Sequence, residues 1–214
     1  MFPVSGYPGA AVSGRFVVIE GIDGAGTTTQ TARLVAELTM RGHDAHGTRE
    51  PSTGPVGQLL RKILGGAHAP VDGTTMALLF AADRTDHLAR EVVPALQRGA
   101  IVVSDRYYHS SLAYQATETD GQFVERINQR ARAADLAILL RVPAETAALR
   151  RARAGRAVER YDDLPVQRRV AEHYERVFAR LAGSGERVAI VDGGREPEAV
   201  LGELVALVET ILCY

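Results

Sequence analysis

The apolar positions fall into two alternating kinds of segment. Residues 16–19 (Phe-Val-Val-Ile) form a short continuous apolar run, the pattern of a strand buried on both faces. Residues 27–40 follow with Ala32, Val35 and Leu38 on one face of a helix, and Arg41-Gly42 closes it with glycine in its usual place past a helix end. A weaker strand signal lies at 43–48. A helical one lies at 57–64, with Leu59, Leu60, Ile63 and Leu64 apolar. The pattern over 74–98 is a long helix that Pro94 should kink or split. Strands are expected at 100–104, 136–142 and 187–192. Helices are expected at 145 to about 156, at 165–181 with Pro165 at a first-turn position, and at 196–212. Strands alternating with helices predict a parallel sheet covered on both faces. No internal repeat or low-complexity linker interrupts the pattern. One domain is expected over 15–214, behind a loose tail at 1–14 that lacks the charge and apolar pattern of a signal peptide.

Composition narrows the function classes. A length of 214 residues suits one α/β domain with a substantial core. A net charge of −1 gives no global basic field to attract nucleic acid or a membrane. No apolar run approaches the length of a membrane span. The single cysteine, Cys213, excludes an internal disulfide and a cysteine metal cluster, and fits a reducing cytoplasm. The six histidines show no metal-ligand spacing such as H-E-x-x-H, which argues against a metal-dependent hydrolase. Lys62 is the only lysine, so arginine supplies nearly all the positive charge.

The segment from Phe16 to Gln30 carries the strongest chemical signal. Gly21, Ile22, Asp23, Gly24, Ala25 and Gly26 form a glycine-rich turn between strand and helix, followed by Thr27, Thr28 and Thr29. The glycines let backbone come close to a phosphate, and the helix start aims free N–H groups and a positive dipole end at the anion. Thr28 is placed to put a hydroxyl on Mg²⁺. The usual pattern is G-x-x-x-x-G-K-S/T, and Thr27 stands where its lysine belongs. Losing one preorganised cation at a transferring phosphoryl group costs about 3–4 kcal/mol, or ~10²–10³ in rate, unless another group replaces it. The arginine-rich stretch of Arg150, Arg151, Arg153, Arg156 and Arg160 is the candidate replacement, since arginine clamps phosphate oxygens bidentately.

Three further segments, with the loop, resemble those of thymidylate kinases among the P-loop nucleoside monophosphate kinases. Thr48-Arg-Glu-Pro-Ser-Thr-Gly54 resembles T-R-E-P-G-G-T. Leu78-Leu-Phe-Ala-Ala-Asp-Arg84 resembles L-F-A-A-D-R. Asp105-Arg-Tyr-Tyr-His-Ser-Ser-Leu-Ala-Tyr-Gln115 resembles D-R-Y/H-x-x-S-S/T-x-A-Y-Q. The resemblance implies a P-loop NTPase fold: three-layer α/β/α, with a mainly five-stranded parallel sheet and a helical arginine-rich lid at about 146–163. It implies transfer of phosphate from Mg²⁺-ATP to dTMP by a homodimer. In that family, Phe80 and Arg84 meet the base, spacing of four residues putting them on one helix face. Arg49 and Arg106 hold the monophosphate, and Asp23 meets the sugar 3′-hydroxyl. Ser110, Ser111 and Gln115 belong to the acceptor site, and Tyr114 crowds the sugar 2′ position. Asp105 belongs with Thr28 in the Mg²⁺ shell. Glu159-Arg-Tyr-Asp162 resembles the lid's D-R-I/F-E, so Arg160 is the first catalytic candidate, with Arg153 and Arg156 beside it.

The chain departs from the family at Thr27, at Ser52-Thr53-Gly54, at Ala116-Thr117-Glu118 and at Arg141, and has Gly24 where some members carry arginine. Two other readings stay open: a non-catalytic protein that binds and senses nucleotide, which Thr27 favours, and a kinase for another deoxynucleoside monophosphate.

Overall fold

A computed structural model describes residues 13–155 and 159–212. Five strands form one parallel sheet: β1 Arg15–Glu20, β2 Ala45–Arg49, β3 Ile101–Asp105, β4 Leu136–Arg141 and β5 Val188–Asp192, in the order β2-β3-β1-β4-β5. Phe16, Val17, Val18 and Ile19 have no exposed surface. Successive side chains on a strand point to opposite faces, so both faces of β1 are covered.

The helix α1, Thr27–Met40, packs on β1, β2 and β3 and against α9, Pro197–Leu212. The long α8, Leu164–Gly183, packs on β4 and β5. It also packs against α5, Tyr108–Tyr114, and α7, Ala144–Arg153. The expected tail does not extend to Gly14, which is buried and donates its N–H to the Leu96 carbonyl. Residues 1–12, Arg156 and Cys213 lie outside the described residues. Among the described residues, no helix is long and apolar enough to cross a membrane.

Pro94 splits the long helical pattern. The helix α3, Gly73–His87, passes through a π turn at Leu88–Val92 into α4, Val93–Gln97, with proline in the first turn of α4. Proline has no N–H to donate, and the wider π turn takes up the missing bond without ending the rod. The sequence pattern does not single out α5, the 3₁₀ turn Gln115–Thr117 or α6, Gly121–Asn128. The first two lie within a stretch dense in chemistry-bearing residues. The third is short and held at its start by Asp120, whose carboxylate accepts from the Gln122 N–H.

Register sets the working edge. Ile19 pairs with Asp105, and Asp105 with Arg49, so three adjacent strands end in one row. This is the carboxyl end of the sheet, where parallel α/β folds bind ligands. The helix α2, Pro55–Leu64, lies against α3 over a small core of Leu60, Ile63 and Met76, with Phe80 packed on its flank. A Cβ at Gly57 would lie 2.1 Å from the Ser52 carbonyl oxygen, so glycine lets α2 rest on the Pro51-Ser52 turn. Helix propensity alone predicts that Gly57→Ala stabilises by about 1 kcal/mol. Packing predicts the opposite sign, a loss of about 1–3 kcal/mol, read by denaturant unfolding.

Candidate functional site

The phosphate loop turns at two glycines in the left-handed region, Gly24 (φ 91°) and Gly26 (φ 99°), and α1 begins directly after. Ile22 and Ala25 turn their side chains inward and are buried. The tip touches α7: a Cβ on Gly24 would lie 2.4 Å from the Ala147 carbonyl oxygen. Thr27 is buried, whereas Thr28 and Thr29 are exposed at the helix start. The Thr28 hydroxyl donates to Asp105 Oδ2 at 2.5 Å. The other oxygen, Asp105 Oδ1, is buried and has no hydrogen-bond partner. A hydroxyl beside a carboxylate with one unsatisfied oxygen suits a hard divalent cation that keeps waters and phosphate oxygens in its shell. Among the described residues, no three His, Cys, Asp or Glu side chains converge as a self-sufficient metal site.

A cleft opens beside this pair, with Asp23, Arg49, Phe80, Arg84, Arg106, Ser110, Tyr114 and Gln115 in its wall. Arg106 is the most constrained of them. Its φ of 75° lies in the left-handed region, rare for a residue with a side chain. Its guanidinium donates to Asp23 Oδ1 at 2.8 Å, to the Gly21 carbonyl at 2.7 Å and to the Tyr174 hydroxyl at 3.2 Å. Burial opposes this charge, but Tyr114, Asp23, Tyr174 and Asp105 hold its pKa well above the usual range, so it stays cationic. Tyr114 is buried, lies under the Arg106 guanidinium and donates its hydroxyl to Asp23 Oδ2 at 3.1 Å.

At the other end, Arg84 is 2% exposed. It bonds Ser111 Oγ at 3.2 Å and Asn128 Oδ1, and its Nε is a buried donor with no partner. Phe80, one turn earlier, is half-buried in the same wall. Gln115 Nε2 reaches the Tyr161 hydroxyl at 3.4 Å.

Arg61, which sequence reading passed over, also lines the cleft and donates to the Pro51 carbonyl. Burial, and then the charge of Arg49, holds its pKa below the usual range. Two cations crowded this way are relieved by an anion between them. The available signal was an arginine three residues before Leu64, which shares the cleft wall.

The arginines of the basic stretch are placed unequally. Arg160, the first candidate, is not on the phosphate loop: it pairs with Glu118 at 3.2 Å and donates to the Val71 carbonyl at 2.8 Å. Arg153 is exposed on α7. Arg150 donates to the carbonyls of Ala25 at 3.3 Å and Gly193 at 3.0 Å. Arg151 donates to the Asp23 carbonyl and pairs with Asp162 at 3.1 Å. Among the described arginines of this stretch, Arg150 and Arg151 are the ones seated on the loop. Which arginines face the loop depends on the phase of α7 and on its approach to Gly24, and neither is written in a run of basic residues.

The departures noted in the sequence have local partners. Ser52 donates its N–H and hydroxyl to Asp83 at 2.8 and 2.6 Å. Glu118 holds Arg160 and accepts from the Tyr161 hydroxyl at 2.9 Å. Arg141 makes a two-pronged pair with Glu175 at 2.7 and 2.6 Å.

A parallel α/β sheet, a glycine loop leading into a helix at its carboxyl edge and an arginine-lined cleft beside it together define a phosphate-binding-loop protein. Comparison with known proteins sharpens the class. The family model described as thymidylate kinase matches residues 19–204. A probable thymidylate kinase of Thermococcus kodakarensis is 36% identical over 206 residues, covering 92% of this chain and 98% of that protein. A probable thymidylate kinase of Pyrobaculum aerophilum is 40% identical over 202 residues, 93% and 98%. A thymidylate kinase of Alkalilimnicola ehrlichii is 39% identical over 200 residues, 89% and 90%. The chain belongs to the thymidylate kinase family, and is thus a phosphotransferase of the nucleoside monophosphate kinase class.

Two variants test the constraint on this wall. Arg106→Gly and Arg106→Ala lose the same bonds, but glycine accepts a φ of 75° freely. Arg106→Gly is expected to be the more stable by about 1 kcal/mol in denaturant unfolding. Behind Arg106, burial pushes the Glu20 carboxyl up, but His109, Ser110 and Arg106 outweigh it and hold its pKa below the ordinary 4.5. Its stabilisation is therefore complete above that value and is lost as pH falls through the depressed one. Glu20→Gln should be less stable at neutral pH by about 3 kcal/mol and lose less on acidification, as followed by circular dichroism.

Proposed function

We propose that the chain transfers the γ-phosphoryl group of Mg²⁺-ATP to the 5′-phosphate of dTMP, giving dTDP and ADP. The observation that carries this reading is one continuous cleft: it runs from the phosphate loop past Arg49 and Arg106 to Phe80 and Arg84. The dTMP phosphate lies against Arg49 and Arg106, as a dianion requires. The base stacks on Phe80, with Arg84 donating to a ring carbonyl. Asp23 and Tyr114 flank the sugar, Ser110 and Gln115 complete the wall, and Ser111 backs Arg84.

An acceptor phosphate oxygen forms the new bond to the γ-phosphorus, and the bond to the β–γ bridging oxygen breaks as ADP leaves. The acceptor already carries negative charge, so no strong general base is needed. The chain contributes alignment and charge neutralisation. Thr28 and Asp105 would hold Mg²⁺, which would supply neutralisation of charge on the donor phosphates. The loop amides and the arginines of α7 and the following segment neutralise the rest. Closure of the expected lid, of which residues 146–155 and 159–163 are described, over the donor excludes water and suppresses hydrolysis of ATP. Residues 15–214 act as one kinase domain, and by family likeness two copies pair.

The test is coupled ADP release from Mg²⁺-ATP with dTMP, dUMP, dCMP or no acceptor. The native chain is expected to release ADP only with an acceptor, and fastest with dTMP. Chelation of Mg²⁺ should abolish turnover. Arg151→Ala is expected to lower kcat by about 10²-fold. Turnover by Thr27→Lys with none in the native chain would favour the nucleotide-sensing reading.

A further inference from the structure

Behind Arg84, at the base end of the cleft, lies a buried set of charged groups that the chemistry above does not use. Arg84 Nη2 meets Glu50 Oε2 at 2.8 Å, a charge contact between side chains almost without exposed surface. The other Glu50 oxygen lies 3.3 Å from His87 Nδ1. Across the ring, His87 Nε2 lies 2.7 Å from the Thr48 hydroxyl and 3.6 Å from Glu91 Oε2. His46 Nε2 lies 3.0 Å from Glu91 Oε1.

Two carboxylates flank the ring: Glu50 lies against Nδ1, where it needs a donor, and Glu91 lies 3.6 Å from Nε2. A buried ring held between two carboxylates is stabilised as the imidazolium. Glu50 faces it from the segment after β2, Glu91 from the π turn, and Asp83 and Arg84 from α3. His46 on β2 reaches it through Glu91, and Tyr107 beyond β3 stays neutral because burial drives its phenol far up. Burial pulls His87 down, but Glu50, Glu91 and Asp83 outweigh it and hold its pKa above the usual range.

We propose that His87 is a positioning residue for the acceptor. As an imidazolium between Glu50 and Glu91, it fixes the Glu50 carboxylate against Arg84 and so sets the guanidinium that meets the acceptor's base. This rests on the reading that the base lies at Phe80 and Arg84. A neutral His87 leaves Glu50 with one cationic partner in place of two, and Arg84 with a looser anchor. The effect is complete at low pH and fades as pH rises through the raised pKa of His87.

Calorimetric titration with dTMP, and separately with ATP, between about pH 6.5 and 9 tests this on wild type, His87→Gln and Glu91→Gln. Wild-type affinity for dTMP is expected to weaken on the order of ten-fold across the range, with ATP affinity unmoved. His87→Gln should bind dTMP on the order of ten-fold more weakly at the acid end and hold that affinity as pH rises. Glu91→Gln keeps the ring but removes a facing charge, so its transition should move to lower pH. Equal dTMP affinities and pH profiles in wild type and His87→Gln overturn the role of His87 alone, as does a parallel loss for ATP. Should His87→Gln not fold, an unshifted Glu91→Gln profile overturns it. A wild type that binds no dTMP overturns the functional reading, and the role of His87 with it.

Discussion

The site depends on a carboxylate with no exposed surface. Glu20, the last residue of β1, accepts from the Tyr107 N–H at 2.8 Å, the Ser110 hydroxyl at 2.6 Å and the Tyr174 hydroxyl at 2.9 Å. Those partners come from the turn after β3, from α5 and from α8, so one buried charge ties the central strand to three other segments. Burying a carboxylate is costly unless its oxygens are satisfied, and here each bond also fixes a group that borders Arg106. Ser110 and Tyr174 both touch its guanidinium. The left-handed backbone at Arg106 is held by this over-determined setting, and backbone of that kind persists only where its surroundings leave no alternative.

Polar networks carry the same logic to both ends of the cleft. Asp23 is bonded by Arg106, Tyr114 and Gln167, and Arg84 by Ser111 and Asn128, with Glu50 in ion contact. Arg106 and Arg84 are thus held as fixed cations at the two ends of the cleft. Preorganised charge of this kind is worth more to phosphoryl transfer than the same number of mobile charges.

Much of this was legible in the sequence, for identifiable reasons. The strands announce themselves by short apolar runs, because parallel strands are buried on both faces. Asp23, Arg49, Phe80, Arg84, Arg106 and Tyr114, all in the cleft wall, sit in compact local motifs. Tertiary contacts hid the remainder. Glu118 and Arg160 meet across 42 positions, and Gln167 reaches Asp23 across 144. The docking of Arg150 and Arg151 follows from helix phase, and the burial of His87 beside Glu50 from where the end of α3 meets Thr48 of β2. No local pattern marks any of these.

The contact between Gly24 and the Ala147 carbonyl has an evolutionary consequence. Some members of the family carry arginine at the position of Gly24. In this chain the backbone of α7 occupies the volume where any side chain there would begin. An arginine cannot arrive by one replacement unless α7 first withdraws, and withdrawal removes Arg150 and Arg151 from the loop. A side chain at the loop tip and the docking of Arg150 and Arg151 from α7 therefore compete for the same space, and glycine at the tip leaves that space to α7.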